Sequence, residues 1–145
     1  PYVSSERFSS IGACQTKLED LLRQSDVISI HCTLTEETRG LVDKNKMQLM
    51  RDQAILINTA RGPVINENDL YNNLQKGKLH SAGLDVYADE PPSSGQDALL
   101  FHPRVIATGH YAWYSTKSLV ELQKRATDNL LTMLKGNIPE DCLNS

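Results

Sequence analysis

The sequence predicts an α/β fold built on a parallel sheet, and three observations carry that reading. Short β-branched runs alternate with segments of helical period, in units too long for hairpins. One run, Ala54–Asn58 (AILIN), is too uniformly apolar for a half-exposed strand and suits a parallel strand covered on both faces. Small, polar or charged residues follow each run, in HCTLT, TARG, DVYADEPP and GHYAWY, and parallel sheets bind ligands at the carboxyl ends of their strands.

The elements follow in order. Lys17–Gln24 places leucines at 18, 21 and 22, the spacing of a short amphipathic helix. Asp26–Ile30 is a strand, Thr35–Gly40 a turn, and KNKMQLM from Lys44 a second short helix. After the Ala54–Asn58 strand, Asn66–Lys76 reads as a helix with Asn66 as its N-cap and Gly77 just past its end. Ser81–Val86 and Arg104–Thr108 are further strands. The loop between them is stiffened by Pro91 and Pro92 and loosened by Gly95. Ser118–Leu134 is a long helix with apolar positions at 119, 120, 122, 126, 130, 131 and 134; Gly136 closes it and Pro139 follows.

The chain has 145 residues, one domain's worth, and 39% apolar with 23% charged residues is a globular composition. A net charge of −3 argues against nucleic acid or an anionic membrane as partner. No apolar run approaches the roughly 18 residues of a membrane span, and PYVSSERFSS has no signal-peptide pattern. Cys14, Cys32 and Cys142 are odd in number, far apart and without C-x-x-C spacing, which argues against a disulfide framework or a zinc site. A reducing, cytoplasmic compartment is expected. The chain begins with Pro1, so a processed chain or a piece of a longer protein is expected.

Among the residues at the strand ends, Arg61 stands between small neighbours, Thr59, Ala60 and Gly62. Its planar fork of donors suits a carboxylate beside a carbonyl; the rival reading is a surface arginine covering apolar area with its stem. His110 follows a strand and titrates near neutrality, as a proton donor and acceptor must; otherwise it is a histidine bonded to backbone. Glu90, in a loop braced by two prolines, is either a solvated carboxylate or a partner that stabilises the cationic imidazole. His31 lines a cofactor side or packs, whereas His80 and His102 read as surface residues near turns. No histidine has a ligand-type partner at i+3 or i+4 in a convincing setting, so no metal is expected.

Four stretches, LLRQSDVISIHCTLTEETRGLVD, MRDQAILINTARGPVINENDL, KGKLHSAGLDVYADEPP and VIATGHYAWYS, together resemble the D-isomer-specific 2-hydroxyacid dehydrogenases, in order and with sensible spacing. HCTL, HYAWYS and the tail GNIPEDCLNS resemble most the C-terminal-binding-protein branch, then phosphoglycerate dehydrogenase and the glyoxylate or hydroxypyruvate reductases. The resemblance implies a Rossmann-like sheet, NAD as cofactor with NADP left open, and a small 2-oxo or 2-hydroxy acid substrate. It implies that Arg61 binds the substrate carboxylate, that His110 moves the proton and that Glu90 keeps His110 charged. It also places Cys32 and Thr33 beside the adenosine half of the cofactor. Thr59, Ala60 and Arg61 then fall at its nicotinamide end, with Asp85 near the carboxamide and His110 and Ala112 near the ring.

The departures concern three positions and one loop. Thr33 and Gly109 stand where the family usually has proline, and Pro63 replaces the second glycine of ARGG. No G-x-G-x-x-G occurs among the eight glycines, and that loop carries the pyrophosphate in the family. Residues 1–145 are therefore expected to be the second half of a dinucleotide-binding domain, with 116–145 as its C-terminal helix and tail and a weak hold on NAD when isolated. The complete protein is expected to be a homodimeric dehydrogenase. The alternative is an NAD(H)-gated, corepressor-like interaction protein with a nuclear location.

Overall fold

The computed structural model describes residues 3, 5–92 and 98–142, so Pro1, Gly95 and the end of the tail lie outside the described residues. The chain divides into two compact units, Pro1–His110 and Tyr111–Ser145.

Four strands of the first unit, β1 (Val27–Ile30), β2 (Ala54–Asn58), β3 (Leu79–Leu84) and β4 (Val105–Ala107), form a sheet in the order β1-β2-β3-β4, with every neighbouring pair parallel. Ile30 is in register with Asn58, Asn58 with Leu84, and Leu84 with Ala107. The four strands thus end in one row, and their following residues share one edge of the sheet.

Helices α2 (Leu18–Gln24), α3 (Lys44–Leu49) and α4 (Glu67–Gln75) lie in the connections. Each buries leucine or methionine side chains: Leu22 from α2, Met47 from α3, Leu70 and Leu74 from α4. These join Leu56, Leu79 and Leu84 of the sheet in one core cluster. Helix α3 packs on α2 and α4, and α4 packs on β3. Asp43 caps α3 by accepting the Lys46 N–H, and Asn66 caps α4 by accepting that of Asp69. Gly77, just past α4, has φ +71°, the left-handed conformation that glycine adopts without a Cβ penalty.

Several features of the first unit differ from the sequence reading, and β3 starts and ends two residues before the expected strand. Helix α1 (Ser5–Ser10) was not expected, because its serine-rich sequence has no apolar period. Strand β2 buries Ala54, Leu56 and Asn58 fully but leaves Ile55 and Ile57 half-buried, so one face is covered completely and the other in part. His102 is a buried residue and not a surface one: it is 6% exposed, and its Nδ1 accepts the Arg104 N–H at 3.1 Å. Its ring stands edge-on to Tyr71, 5.7 Å away. A ring partner 31 residues distant leaves no trace in local composition.

In the second unit α5 (Thr116–Leu134) starts two residues before the predicted boundary. Ser115 and Ser118 form a reciprocal capping box, each side chain bonding the other's backbone N–H. Gly136 follows with φ +77°. Asp141 holds the tail to the helix, accepting from Arg125 Nε at 2.8 Å and Asn129 Nδ2 at 3.0 Å.

Candidate active site

The ends of β1 and β2 enclose a cleft of about 320 Å³, lined by residues 31–34 and 59–61. Five expected cofactor-side residues, Cys32, Thr33, Thr59, Ala60 and Arg61, meet there. The Thr38 hydroxyl holds the β1 side of the cleft, donating to the Thr33 carbonyl at 2.7 Å and accepting the Thr35 N–H at 2.8 Å. His31 Nε2 lies 2.8 Å from Ser29 Oγ.

On the β2 side the backbone at Arg61 is extended, and a 3₁₀ turn, Gly62–Val64, follows with Pro63 inside it. Neighbouring backbone fixes this turn: Gly40 N–H donates to Pro63 O at 2.8 Å and Val42 N–H to Val64 O at 3.0 Å. Gly62 is where two chain segments touch. A Cβ there would fall on the Tyr87 carbonyl and the Ala88 nitrogen, so only glycine fits. The Arg61 guanidinium is exposed, with Nη1 donating to the Ala60 carbonyl at 2.6 Å.

The ends of β3 and β4 carry a second group. Tyr87, 6% exposed, places its hydroxyl 2.8 Å from the Thr108 carbonyl and 3.1 Å from that of Leu84, sharing one proton between the two strand ends. Glu90 Oε1 accepts the Tyr87 N–H at 3.0 Å, and Oε2 lies 2.9 Å from His110 Nδ1. The Tyr87 N–H and then His110 hold the Glu90 carboxyl below its ordinary range, with a further contribution from the charge of Arg61. His110 follows Gly109 and has φ +62°, which costs a non-glycine residue on the order of 1–3 kcal/mol. Such strain persists only where surrounding contacts impose it. With Nδ1 turned to Glu90, proton exchange with a bound molecule falls to Nε2. A hollow of about 140 Å³, lined by Tyr87, Glu90, Pro91, Pro92, Gly109 and His110, opens beside the pair.

Asp85 is buried at the end of β3, where the Thr108 hydroxyl donates to its Oδ1. Ala112 belongs to the second unit, separate from the unit that carries the other candidates. Among the described residues no three His, Cys, Asp or Glu side chains are grouped to hold a metal ion, and no helix is long and apolar enough to cross a membrane.

Sequence reasoning missed Asn58, Tyr87 and the steric role of Gly62. A signal for Asn58 was present, because the period of two places it on the same face as Ala54 and Leu56. Tyr87 and Gly62 act through segments 25 residues apart, and no local pattern carries that.

Residues 1–112 match the family model described as D-isomer specific 2-hydroxyacid dehydrogenase, NAD binding domain. The hydroxypyruvate reductase of Blautia hydrogenotrophica is 43% identical over 121 residues, which cover 83% of this chain and 37% of that protein. The glyoxylate reductase of Aeropyrum pernix is 36% identical over 134 residues, 92% of this chain and 40% of that protein. The crystal structure of the D-lactate dehydrogenase from Aquifex aeolicus, complexed with NAD and lactic acid, superposes with a TM-score of 0.82 at 32% identity. That match covers 94% of this chain and 45% of the other. The chain thus spans less than half the length of these relatives.

Proposed function

The chain belongs to the D-isomer-specific 2-hydroxyacid dehydrogenase family, and we propose that the full-length protein is an NAD-dependent oxidoreductase interconverting a 2-hydroxy acid and a 2-oxo acid. The observation that carries this reading is the His110–Glu90 pair, 2.9 Å apart on one sheet edge with the Arg61 cleft.

The cleft suits part of a dinucleotide in its lining. Its volume lies in the range of small-molecule sites, and the short side chains of Thr59 and Ala60 leave the backbone open to close approach. Cys32 and Thr33 would take the adenosine side, Thr59, Ala60 and Arg61 the nicotinamide side, and Asp85 and His110 the nicotinamide surroundings. When bound, NADH supplies the hydride. Arg61 grips the substrate carboxylate through its fork and polarises the adjacent ketone. His110 donates a proton from Nε2 to the ketone oxygen during reduction, and takes it from the hydroxyl during oxidation. Glu90 stabilises the imidazolium and fixes the ring through Nδ1.

In the same reading residues 1–145 are the second half of the NAD-binding domain, with 116–145 its C-terminal helix and tail. The full-length protein is a cytoplasmic homodimer; the compartment draws on the cysteine pattern and the dimer on the family resemblance. The corepressor-like alternative draws no support from the relatives, whose names are those of reductases and a dehydrogenase. The test is loss of NADH absorbance when the full-length protein meets glyoxylate, hydroxypyruvate or pyruvate. Turnover of at least one is expected, and no oxidation with any of them overturns the proposal.

A further inference from the structure

Strand β2 ends on a polar side chain in a position that its period assigns to the core. Asn58 is 1% exposed, and a buried amide without partners is costly. Both of its polar groups turn to the segment that follows. Oδ1 accepts the Ala60 N–H at 3.0 Å, and Nδ2 donates to the Arg61 carbonyl at 2.9 Å. Its backbone carbonyl accepts the Asp85 N–H at 3.0 Å, tying the same residue to the end of β3.

An exposed arginine side chain takes its starting point and direction from its own main chain. Here that main chain is clipped on both sides of the Ala60–Arg61 peptide by one buried amide. Aspartate lacks the donor, serine and threonine offer a single hydroxyl, and glutamine is a methylene longer. We propose that Asn58 is a positioning residue: it holds the backbone of residues 60 and 61 so that Arg61 meets the substrate carboxylate. The inference rests on the reading of Arg61 given above.

The test uses the full-length protein with Asn58→Asp and Asn58→Leu. Asn58→Asp keeps the size and the acceptor for Ala60, but sets an oxygen against the Arg61 carbonyl. At pH 8 we expect kcat/KM for the 2-oxo acid to fall by about 10- to 100-fold, chiefly through KM, since misplacement near 1 Å costs about 10²-fold. NADH affinity, read by fluorescence titration, falls by a smaller factor than kcat/KM, because Ala60 and Arg61 line only one end of the cofactor in the reading above. On acidification the introduced carboxyl takes up a proton and regains a donor, so the ratio of variant to wild-type kcat/KM rises toward one. The ratio removes whatever pH dependence the two proteins share. Asn58→Leu fills the space without either bond, and its deficit does not change with pH. Wild-type kcat/KM in Asn58→Asp overturns the proposal, as does a deficit that ignores pH. Amide exchange at Ala60 provides a readout independent of turnover. Faster exchange in Asn58→Leu, or in Asn58→Ala if the leucine variant does not fold, sustains the clip; unchanged exchange overturns it. If the wild-type protein reduces no 2-oxo acid, the reading of Arg61 has failed, and Ala60 exchange alone decides whether Asn58 braces the turn.

Discussion

A methyl group at position 62 has no room, and the consequences can be worked from the contact itself. An alanine Cβ would overlap the carbonyl carbon and oxygen of Tyr87 and the amide nitrogen of Ala88. All three are backbone atoms, so no rotamer change relieves the overlap and one chain segment must move. Gly62 directly follows Arg61, and the Tyr87 N–H is bonded to Glu90; either movement therefore shifts a residue of the proposed site. Overpacking costs about 1–3 kcal/mol where side chains can adjust, and a clash confined to backbone belongs at the upper end, about 3 kcal/mol. At about 2–4 °C per kcal/mol for a domain of roughly 150–250 residues, Tm falls by about 6–12 °C. If the turn shifts while the domain stays folded, a displacement near 1 Å lowers kcat/KM by about 10²-fold. The assay pairs thermal unfolding with kcat/KM for the 2-oxo acid, using Gly83→Ala as control. A Cβ at Gly83 meets Ile57 at 3.8 and 4.0 Å, ordinary contact, so Tm should move by no more than about 2 °C. A Gly62→Ala protein with wild-type Tm and wild-type kcat/KM would refute the steric reasoning.

Two further outcomes are expected. Arg61→Lys replaces the fork by a point charge and loses one of two parallel charge-assisted bonds, about 1.5–3 kcal/mol, so kcat/KM for the 2-oxo acid should drop about 10- to 100-fold; an unchanged kcat/KM removes Arg61 from the site. The lowered Glu90 carboxyl stabilises the fold above its unfolded value, near 4.5, and that stability disappears as pH falls through the lower folded value. The Tm advantage of wild type over Glu90→Gln should therefore shrink as pH falls below about pH 4.5; a difference that is flat from pH 3 to 5.5 would show that Glu90 is not held in its charged form.

Much of the framework is local and can be read along the chain. Asn66 caps α4 because a side-chain oxygen at that position reaches the third residue of the helix, and Gly77 and Gly136 follow helices because their conformation is left-handed. A parallel sheet follows from apolar runs separated by helical segments, and the carboxyl edge follows from the strands being parallel; the order of the strands is set by their pairing. Arg61, Glu90 and His110 could be singled out because each stands just past such a run. Helix α1 and the true start of α5 escaped, since a serine-rich turn and a serine–serine capping box carry no apolar period.

Sequence alone determined the α/β class, the family and the edge of the sheet on which the chemistry is proposed, because these depend on residue type and spacing over short stretches. Tertiary structure decided which distant groups touch. It placed Glu90 against His110 across 20 residues, brought the end of β1 to Arg61 in one cleft, and set Gly62 on the Tyr87 backbone. It also buried His102, which reads as a surface residue, and gave the buried Asn58 amide its two backbone partners. The physical reason is the same in each case: burial and contact belong to pairs of segments, and a composition or period read along one segment does not contain its partner.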